Sequence, residues 1–273
     1  MIVAEIGINH NGDIELAKEL IRAAKYAGAD VVKFQKRTVE KLYSEDELKA
    51  ERITPWGKTF GEYKHHIEFG TEEYDEISRL CKELDIEWTA SVWDEDAVDF
   101  LERYDVPYIK LPSAMLSNFN LLMKLHNCSK PVVISTGMAT RDDVIKASKV
   151  IGENLKGVLH CVACYPTKDE DSNMYKLLSL QKIFEHEEEI SIGYSGHETG
   201  WQPTLIAIAL GANMIERHIT LDKSMYGTDQ SSSLTPVEFK QMVDEIKRTR
   251  ESLGSGEIQP LRCEEEAIKR LKK

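Results

Sequence analysis

The sequence predicts a single (β/α)8 barrel. Short apolar runs alternate with helical stretches eight times, and the alternation fills about 250 residues, a usual length for one such barrel. No Gly-x-Gly-x-x-Gly turn, the mark of a doubly wound dinucleotide sheet, follows any of the runs. Alternation of this kind implies parallel strands joined by crossover helices.

Residues 2–7 form the first strand, closed by Asn9-His10-Asn11-Gly12, and 13–27 carry apolar residues at helical spacing (Leu16, Leu20, Ile21, Ala24). Strand two, 31–35, follows Gly28-Ala29-Asp30. Residues 36–70 read as a long, irregular polar loop with Pro55, Gly57, Gly61 and Gly70. A loop of that length in a compact fold is a lid or a mobile segment. Thr71 is expected to cap a helix to about residue 84, with Glu72 and Glu73 favourably placed in its first turn. Strand 87–93 and helix 94–104 follow, then strand 108–111, stopped by Pro112, and helix 118–126. Strand 131–136 precedes helix 140–151, and strand 157–165 precedes helix 171–184. Strands 190–197 and 214–220 flank helix 201–210. A long amphipathic helix, 235–253, is capped by Thr235 with Pro236 at its first position. Residues 1–253 are thus expected to form the barrel, and 254–273 a linker-like surface tail.

Acidic residues outnumber basic ones by 47 to 35, a net charge of −12. That excludes nucleic acid or an anionic membrane as the main partner, but not a small anion in a local basic pocket. No apolar run approaches the roughly 18 residues of a membrane span. The start, Met1 to Glu5, lacks the basic region of a signal peptide, so a cytoplasmic protein is expected. Five scattered cysteines are then free thiols. Cys161 and Cys164 have the spacing of a redox or zinc pair. On an apparent strand, however, residues three apart face opposite ways.

In such a barrel the site lies at the C-terminal ends of the strands. The last two strands end alike: side-chain alternation points Ser195 with His197, and Glu216 with His218. Two histidines at the ends of neighbouring strands are candidate ligands for one divalent metal. Taken singly, each imidazole is equally a core or surface histidine with a backbone partner. The other inward ends are Glu5, then Lys33 with Gln35, Ser91, Lys110, Ser135 and Tyr165, with Ser113 and Asp229 just beyond strands four and eight. Lone buried charges are costly, so this many polar ends converging on one mouth describe a site. Lys33 and Lys110, with hydroxyls from Ser91, Ser113, Ser135 and Ser195, make a cationic, donor-rich pocket suited to phosphate. The blander alternative pairs the lysines with Glu5 or Glu216 and leaves the serines as satisfied strand-end hydroxyls. A metal on His197 and His218 would keep open positions for a carbonyl oxygen. Glu5 and Asp229 could act as bases or grip sugar hydroxyls, and Tyr165 could donate to a developing charge.

Several ordered motifs resemble the sialic acid synthase family: Ala4 to Gly12 (AEIGINHNG), Val32-Lys33-Phe34-Gln35, Tyr108 to Ser113 (YIKLPS), Ser135-Thr136-Gly137-Met138, Leu159-His160-Cys161 with Tyr165-Pro166-Thr167, and Ile215-Glu216-Arg217-His218 with Gly227-Thr228-Asp229-Gln230. The resemblance covers residue 1 to about residue 253. It implies condensation of phosphoenolpyruvate with the open-chain aldehyde of an amino sugar such as N-acetylmannosamine, giving a nine-carbon 2-keto-3-deoxy acid and phosphate. It implies that Lys33, Ser91, Lys110, Ser113, Ser135 and Ser195 hold phosphoenolpyruvate. His197 and His218 would bind a divalent metal, manganese first, with magnesium or cobalt as alternatives. Glu5, Gln35, Tyr165 and Asp229 would serve the sugar and the reacting centre. The chain departs from the family at Ala114-Met115, where a Gly-Glu pair is usual, and at Ala163, where asparagine is usual. The family's C-terminal antifreeze-like domain is also missing, and with it the arginine that reads the N-acetyl group. The acceptor is then a sugar without N-acetyl, or the site is completed by a separate antifreeze-like domain protein. A homodimer would keep less than the usual contact.

Three other readings compete. One is a phosphoenolpyruvate-using synthase making eight- or seven-carbon keto-deoxy sugar acids. Another is a non-catalytic relative that binds phosphoenolpyruvate or a sugar, disfavoured because Glu5, His197 and His218 are all present. The last is a metal-dependent pyruvate aldolase, disfavoured by the two-lysine, four-serine pocket.

Overall fold

Each of the eight apolar runs becomes a strand, and together they close into one parallel barrel. The computed structural model describes residues 1–272. In chain order the strands are β1 (Ile2–Gly7), β2 (Val31–Lys36), β3 (Glu51–Thr54), β4 (Gly57–Thr59), β5 (Glu87–Val92), β6 (Ile109–Leu111), β7 (Val132–Ser135), β8 (Leu155–Cys161), β9 (Ser191–Gly196) and β10 (Met214–His218). The antiparallel pair β3–β4 stands apart. The others form the barrel in chain order, with β10 closing onto β1 through Val3 opposite Glu216 and Glu5 opposite His218.

The strict side-chain alternation of the strands separates two cores. Outward residues such as Ala4, Ile6, Val32, Phe34, Ile134 and Ile215 pack against the helices. Inward residues Val3, Val31, Tyr108, Val133, Leu159 and Met214 fill the lower barrel. One step higher on the same inward faces stand Glu5, Lys33, Lys110, Ser135, Cys161 and Glu216, so the apolar plug becomes the floor of a polar mouth.

The outer ring comprises α1 (Ile14–Ala27), α5 (Thr71–Glu83), α6 (Glu95–Glu102), α7 (Phe119–His126), α8 (Arg141–Ile151), α9 (Lys176–Ile183), α10 (Gln202–Ala209) and α11 (Pro236–Leu253). Helix α1 is representative. Asp13 caps it by accepting from Glu15 N and Leu16 N, Ala17, Leu20, Ile21, Ala24 and Ala27 form its buried stripe, and Gly28 ends it at φ 91°. Thr235 caps α11 with Pro236 in its first turn, as the sequence predicts. Among the described residues, no helix is long and apolar enough to cross a membrane.

Four expectations are corrected. Residues 36–70 are not irregular: they fold into α2 (Val39–Leu42), α3 (Glu45–Lys49), the β3–β4 hairpin and α4 (Phe60–His66), with capping boxes at Ser44 and Thr59. The cap of α5 is Gly70, whose N–H donates to the Glu73 carboxylate, and Thr71 is the first helical residue. Strand six ends at Cys161, which leaves Tyr165 in the following loop. The helix expected over 171–184 starts only at Lys176, after a 3-10 turn at Asp169–Asp171. Beyond Leu253 the chain is exposed and carries α12 (Glu265–Leu271).

The segment from α2 to α4 lies over the barrel mouth and is fastened at both ends. Lys36 Nζ lies 2.8 Å from Glu68 Oε1 and donates to Phe69 O at 2.7 Å, and Arg37 N donates to Glu68 Oε1 at 2.9 Å. Trp56 at the hairpin tip stacks on His66 and meets Tyr226, beyond β10, edge-on at 5.4 Å. Phe69 stacks on buried His10 of the β1–α1 loop, with ring centroids 3.9 Å apart.

His10 Nδ1 accepts from Gly12 N at 3.1 Å, so the ring must be neutral there. Burial, then the Arg37 charge, pull its pKa from 6.5 to about 3, against an opposing hydrogen bond with Gly7. Between those values the unfolded chain binds a proton that the folded chain refuses, so stability is complete above 6.5 and lost as pH falls through the window. Urea titrations should show this group contributing a slope of about 1.4 kcal/mol per pH unit there. His10→Asn should flatten the slope, and an unchanged slope in that variant would rule the assignment out.

Candidate active site

One cavity of about 580 Å³ opens at the C-terminal ends of the strands, and every residue singled out from the sequence lines it. These are Glu5, Lys33, Gln35, Ser91, Lys110, Ser113, Ser135, Tyr165, Ser195, His197, His218 and Asp229. Strand alternation delivers most of them. Ser113 comes from the 3-10 turn after Pro112, and Asp229 from the loop beyond β10.

Charge organises the floor. Lys33, 4% exposed, holds Nζ 2.7 Å from Glu5 Oε2 and 3.6 Å from Glu216 Oε1. Gln35 Nε2 donates to Glu5 Oε1 at 3.2 Å, and Ser195 Oγ donates to Glu216 Oε1 at 2.9 Å. The lysine–carboxylate pairing weighed from the sequence therefore holds for Lys33. It does not hold for Lys110. Lys110 is 2% exposed and donates to Ser135 Oγ at 2.5 Å and Leu111 O at 3.1 Å. Among the described residues no carboxylate lies within ion-pair range of it.

The titration of the set follows. Burial raises the Glu5 pKa, with Lys33 opposing and Glu216 reinforcing. Burial also works against ionisation of Glu216, but Lys33 and Lys110 outweigh it and hold that pKa low. The two carboxylates share Lys33 and titrate as one unit, with the proton on Glu5. Burial lowers the Lys110 pKa, partly offset by Glu216. Both carboxylates of the floor face Lys33, so Lys110 is the cation there without an ion-pair partner among the described residues.

Small residues keep the floor of the cavity open. A Cβ on Gly137 would sit 2.9 Å from Cys161 Sγ and 3.0 Å from Ser113 Oγ. Gly7, at φ 56°, lies against the Glu5 carboxyl and the Gln35 amide in the same way.

The imidazoles face each other with ring centroids 5.6 Å apart, and the Tyr165 ring lies 4.1 Å from that of His197. His197 Nδ1 bonds Val162 O at 2.7 Å, which leaves Nε2 as its free nitrogen. His218 Nδ1 is buried and has no hydrogen-bond partner. Burial holds both rings below the ordinary histidine range, His197 at about 4, so both are in the neutral form that ligates a metal. No group of three potential His, Cys, Asp or Glu ligands converges among the described residues. The free Nε2 of His197 and the unpartnered Nδ1 of His218 are a donor pair that a divalent ion could take, with its other positions supplied by water or substrate.

Sequence reasoning missed Cys161, Arg37, Lys64, Tyr43 and Trp93, which also line the cavity. Cys161 is the true inward end of strand six, and Arg37 continues the Lys33, Gln35 alternation by one step. Nothing in the sequence places Lys64, because its position depends on how the lid folds. Cys161 and Cys164 are both free, the first buried and the second exposed.

A barrel with a lysine- and serine-lined cavity beside two neutral imidazoles is the class that fold and geometry define. The chain belongs to the NeuB family, whose model matches residues 20–258. It is 42% identical over 268 residues to the N-acetylneuraminate-9-phosphate synthases of mouse and human, covering 96% of this chain and 74% of theirs. Among solved structures it resembles the N-acetylneuraminic acid (sialic acid) synthetase of Leptospira borgpetersenii, solved in complex with citrate. The TM-score is 0.87 at 29% identity, covering 100% of this chain and 91% of that one.

Behind the two histidines lies a fully buried ion pair. Glu198 follows His197 and Arg217 precedes His218, with Arg217 Nη1 2.9 Å from Glu198 Oε1 and Nη2 donating to Glu198 O. Thr204 of α10 and Tyr194 donate to the same carboxylate at 3.0 and 2.9 Å. The pair ties β10 to the end of β9 beside both imidazoles. Removing one partner strands the other charge, so Glu198→Gln or Arg217→Met should cost about 3–5 kcal/mol in chemical denaturation. The double variant Glu198→Leu/Arg217→Met should recover much of it. Additive losses would show that the two charges are not coupled.

Proposed function

We propose that this chain condenses phosphoenolpyruvate with the open-chain aldehyde of an amino sugar, giving a sialic-acid-like 2-keto-3-deoxy acid and free phosphate. The observation that carries the reading is Lys110, a buried ammonium without a carboxylate, in the same cavity as Lys33, four serine hydroxyls and two neutral imidazoles. The names of the similar synthases support the product class.

In the proposed reaction the enol carbon bonds to the aldehyde carbon and water adds to the neighbouring carbon. The carbon–oxygen bond to phosphate then breaks, and phosphate leaves with the bridging oxygen. Lys33 and Lys110, with Ser91, Ser113, Ser135 and Ser195, hold the phosphate and carboxylate of phosphoenolpyruvate and stabilise the charge on the leaving phosphate. Gln35 and Asp229 orient the sugar hydroxyls. Glu5 and Asp229 are the proton-handling groups, and the Tyr165 hydroxyl donates to the reacting centre. His197 and His218 would hold manganese, or magnesium or cobalt in its place, which when bound polarises the aldehyde oxygen as a Lewis acid. The reading also includes a cytoplasmic setting, which the free thiols support, and as partners a second copy of the chain and a separate antifreeze-like domain protein.

The test is phosphate release from phosphoenolpyruvate with a panel of hexose and hexosamine acceptors. Release should require an acceptor, stop with a chelator and return with manganese. Lys110→Met should lower kcat/KM for phosphoenolpyruvate by roughly a hundredfold. His218→Ala should abolish turnover without changing the circular dichroism spectrum. Full activity in His218→Ala would remove the metal role, and acceptor-independent release would remove the condensation.

A further inference from the structure

Asp229 lines the cavity from the irregular stretch between β10 and α11, just before a 3-10 turn at Gln230–Ser232. Without a strand ladder to hold it, its place depends on side chains, and these lead to one residue. Asn9, in the turn after β1, is 1% exposed and stands behind the cavity wall. Its Nδ2 donates to Ile219 O at 2.9 Å and to Ser233 Oγ at 2.8 Å. Ser233 Oγ in turn donates to Asp229 O at 2.7 Å, and Ser232 Oγ donates to the same carbonyl at 3.1 Å.

The chemistry of the groups sets the direction of each bond. A main-chain carbonyl only accepts, so Ile219 O determines which end of the Asn9 amide is the nitrogen. The second N–H of that nitrogen is taken by Ser233 Oγ, which leaves the hydroxyl proton for Asp229 O. A single amide thus holds the residue after His218 and, through one hydroxyl, the residue that carries the Asp229 carboxylate. The main chain of Asn9 adds to the clamp. Its carbonyl accepts from Gln230 Nε2 at 3.2 Å, and Gln230 Oε1 accepts from the Thr220 hydroxyl. A Cβ on Gly227, at φ 149°, would meet Gln230 Cγ at 3.0 Å, so the loop closes tightly on this second amide. Stability alone is a poor reason for Asn9, because its Oδ1 is buried without a hydrogen-bond partner and so costs the fold.

We propose that Asn9 is a positioning residue that fixes the Asp229 carboxylate relative to His218 without itself touching substrate. The assignment rests on the role given to Asp229 in the condensation proposed above and adds a residue to it. A displacement of about 1 Å at a reacting group costs on the order of a hundredfold in rate, so a loosened loop is felt in turnover. Lys33, Ser91, Lys110 and Ser135 stand on β2, β5, β6 and β7, which the Asn9 amide does not touch. Binding of phosphoenolpyruvate should therefore be spared.

The test is steady-state kinetics of the full chain with manganese, phosphoenolpyruvate and the hexosamine that gives the fastest phosphate release. Asn9→Ala should lower kcat at least about tenfold and raise KM for the hexosamine several-fold, with KM for phosphoenolpyruvate within about twofold. Loss of folded protein would lower kcat alone, so the hexosamine KM separates positioning from stability. Ser233→Ala removes only a hydroxyl and should show the same split more weakly, and it carries the test if Asn9→Ala does not fold. The double variant should be about as impaired as Asn9→Ala, because both changes remove the same hydrogen bond. Unchanged kinetics, equal rises in both KM values or additive losses would overturn the assignment. Amide hydrogen exchange separates it from the condensation. Faster exchange confined to residues 228–233 in both single variants, with no phosphate release by the wild type from any acceptor, would refute the condensation and keep the clamp. Phosphate release with kinetics and exchange unchanged in the variants would do the reverse.

Discussion

The ammonium of Lys110 has no anionic partner inside the barrel, and most of the site follows from that imbalance. A buried cation that only neutral oxygens solvate is costly, and the fold retains it because β6 is pinned in register between β5 and β7. Lys33 is taken up by Glu5 and Glu216, and burial, opposed by Lys33 and reinforced by Glu216, raises the Glu5 pKa. In this positive surrounding a protonated imidazole would add yet another buried cation. Burial, more than any neighbouring charge, keeps His197 and His218 neutral, which is the form able to ligate.

The barrel was legible because parallel strands alternate strictly. Once Lys33 was set inward, Val31 and Gln35 had to follow, and the apolar layer of Val3, Val31 and Val133 came with the polar one. The same rule misled at strand six. Extending the alternation to Tyr165 treated Val162 and Ala163 as strand, whereas the Val162 carbonyl turns aside to bond His197. Cysteine reads as apolar, so Cys161 was passed over at the position the rule assigned to it.

The lid was illegible for a different reason. Its helices are too short to show a period, and α3 buries none of its residues, so capping boxes rather than apolar stripes hold the ends. Its place over the mouth comes from contacts distant in sequence, such as Trp56 on Tyr226 and Glu68 on Lys36. Local patterning carries no trace of those pairs, and Lys64 could be assigned to the site only after they were seen.

The lid also bears on how an acidic chain admits anionic ligands. A net charge of −12 repels them at long range, but at physiological salt that field decays within about 8 Å. Inside that distance the local charges decide, and the rim carries Arg37 and Lys64 against Asp229 and a Glu68 shared between Arg37 and Lys36. Low-dielectric walls focus such a field along the cavity toward Lys33 and Lys110. Lys33 and Arg37, which bring cations to the floor and to the rim, are spaced by the extended chain of β2 and its continuation.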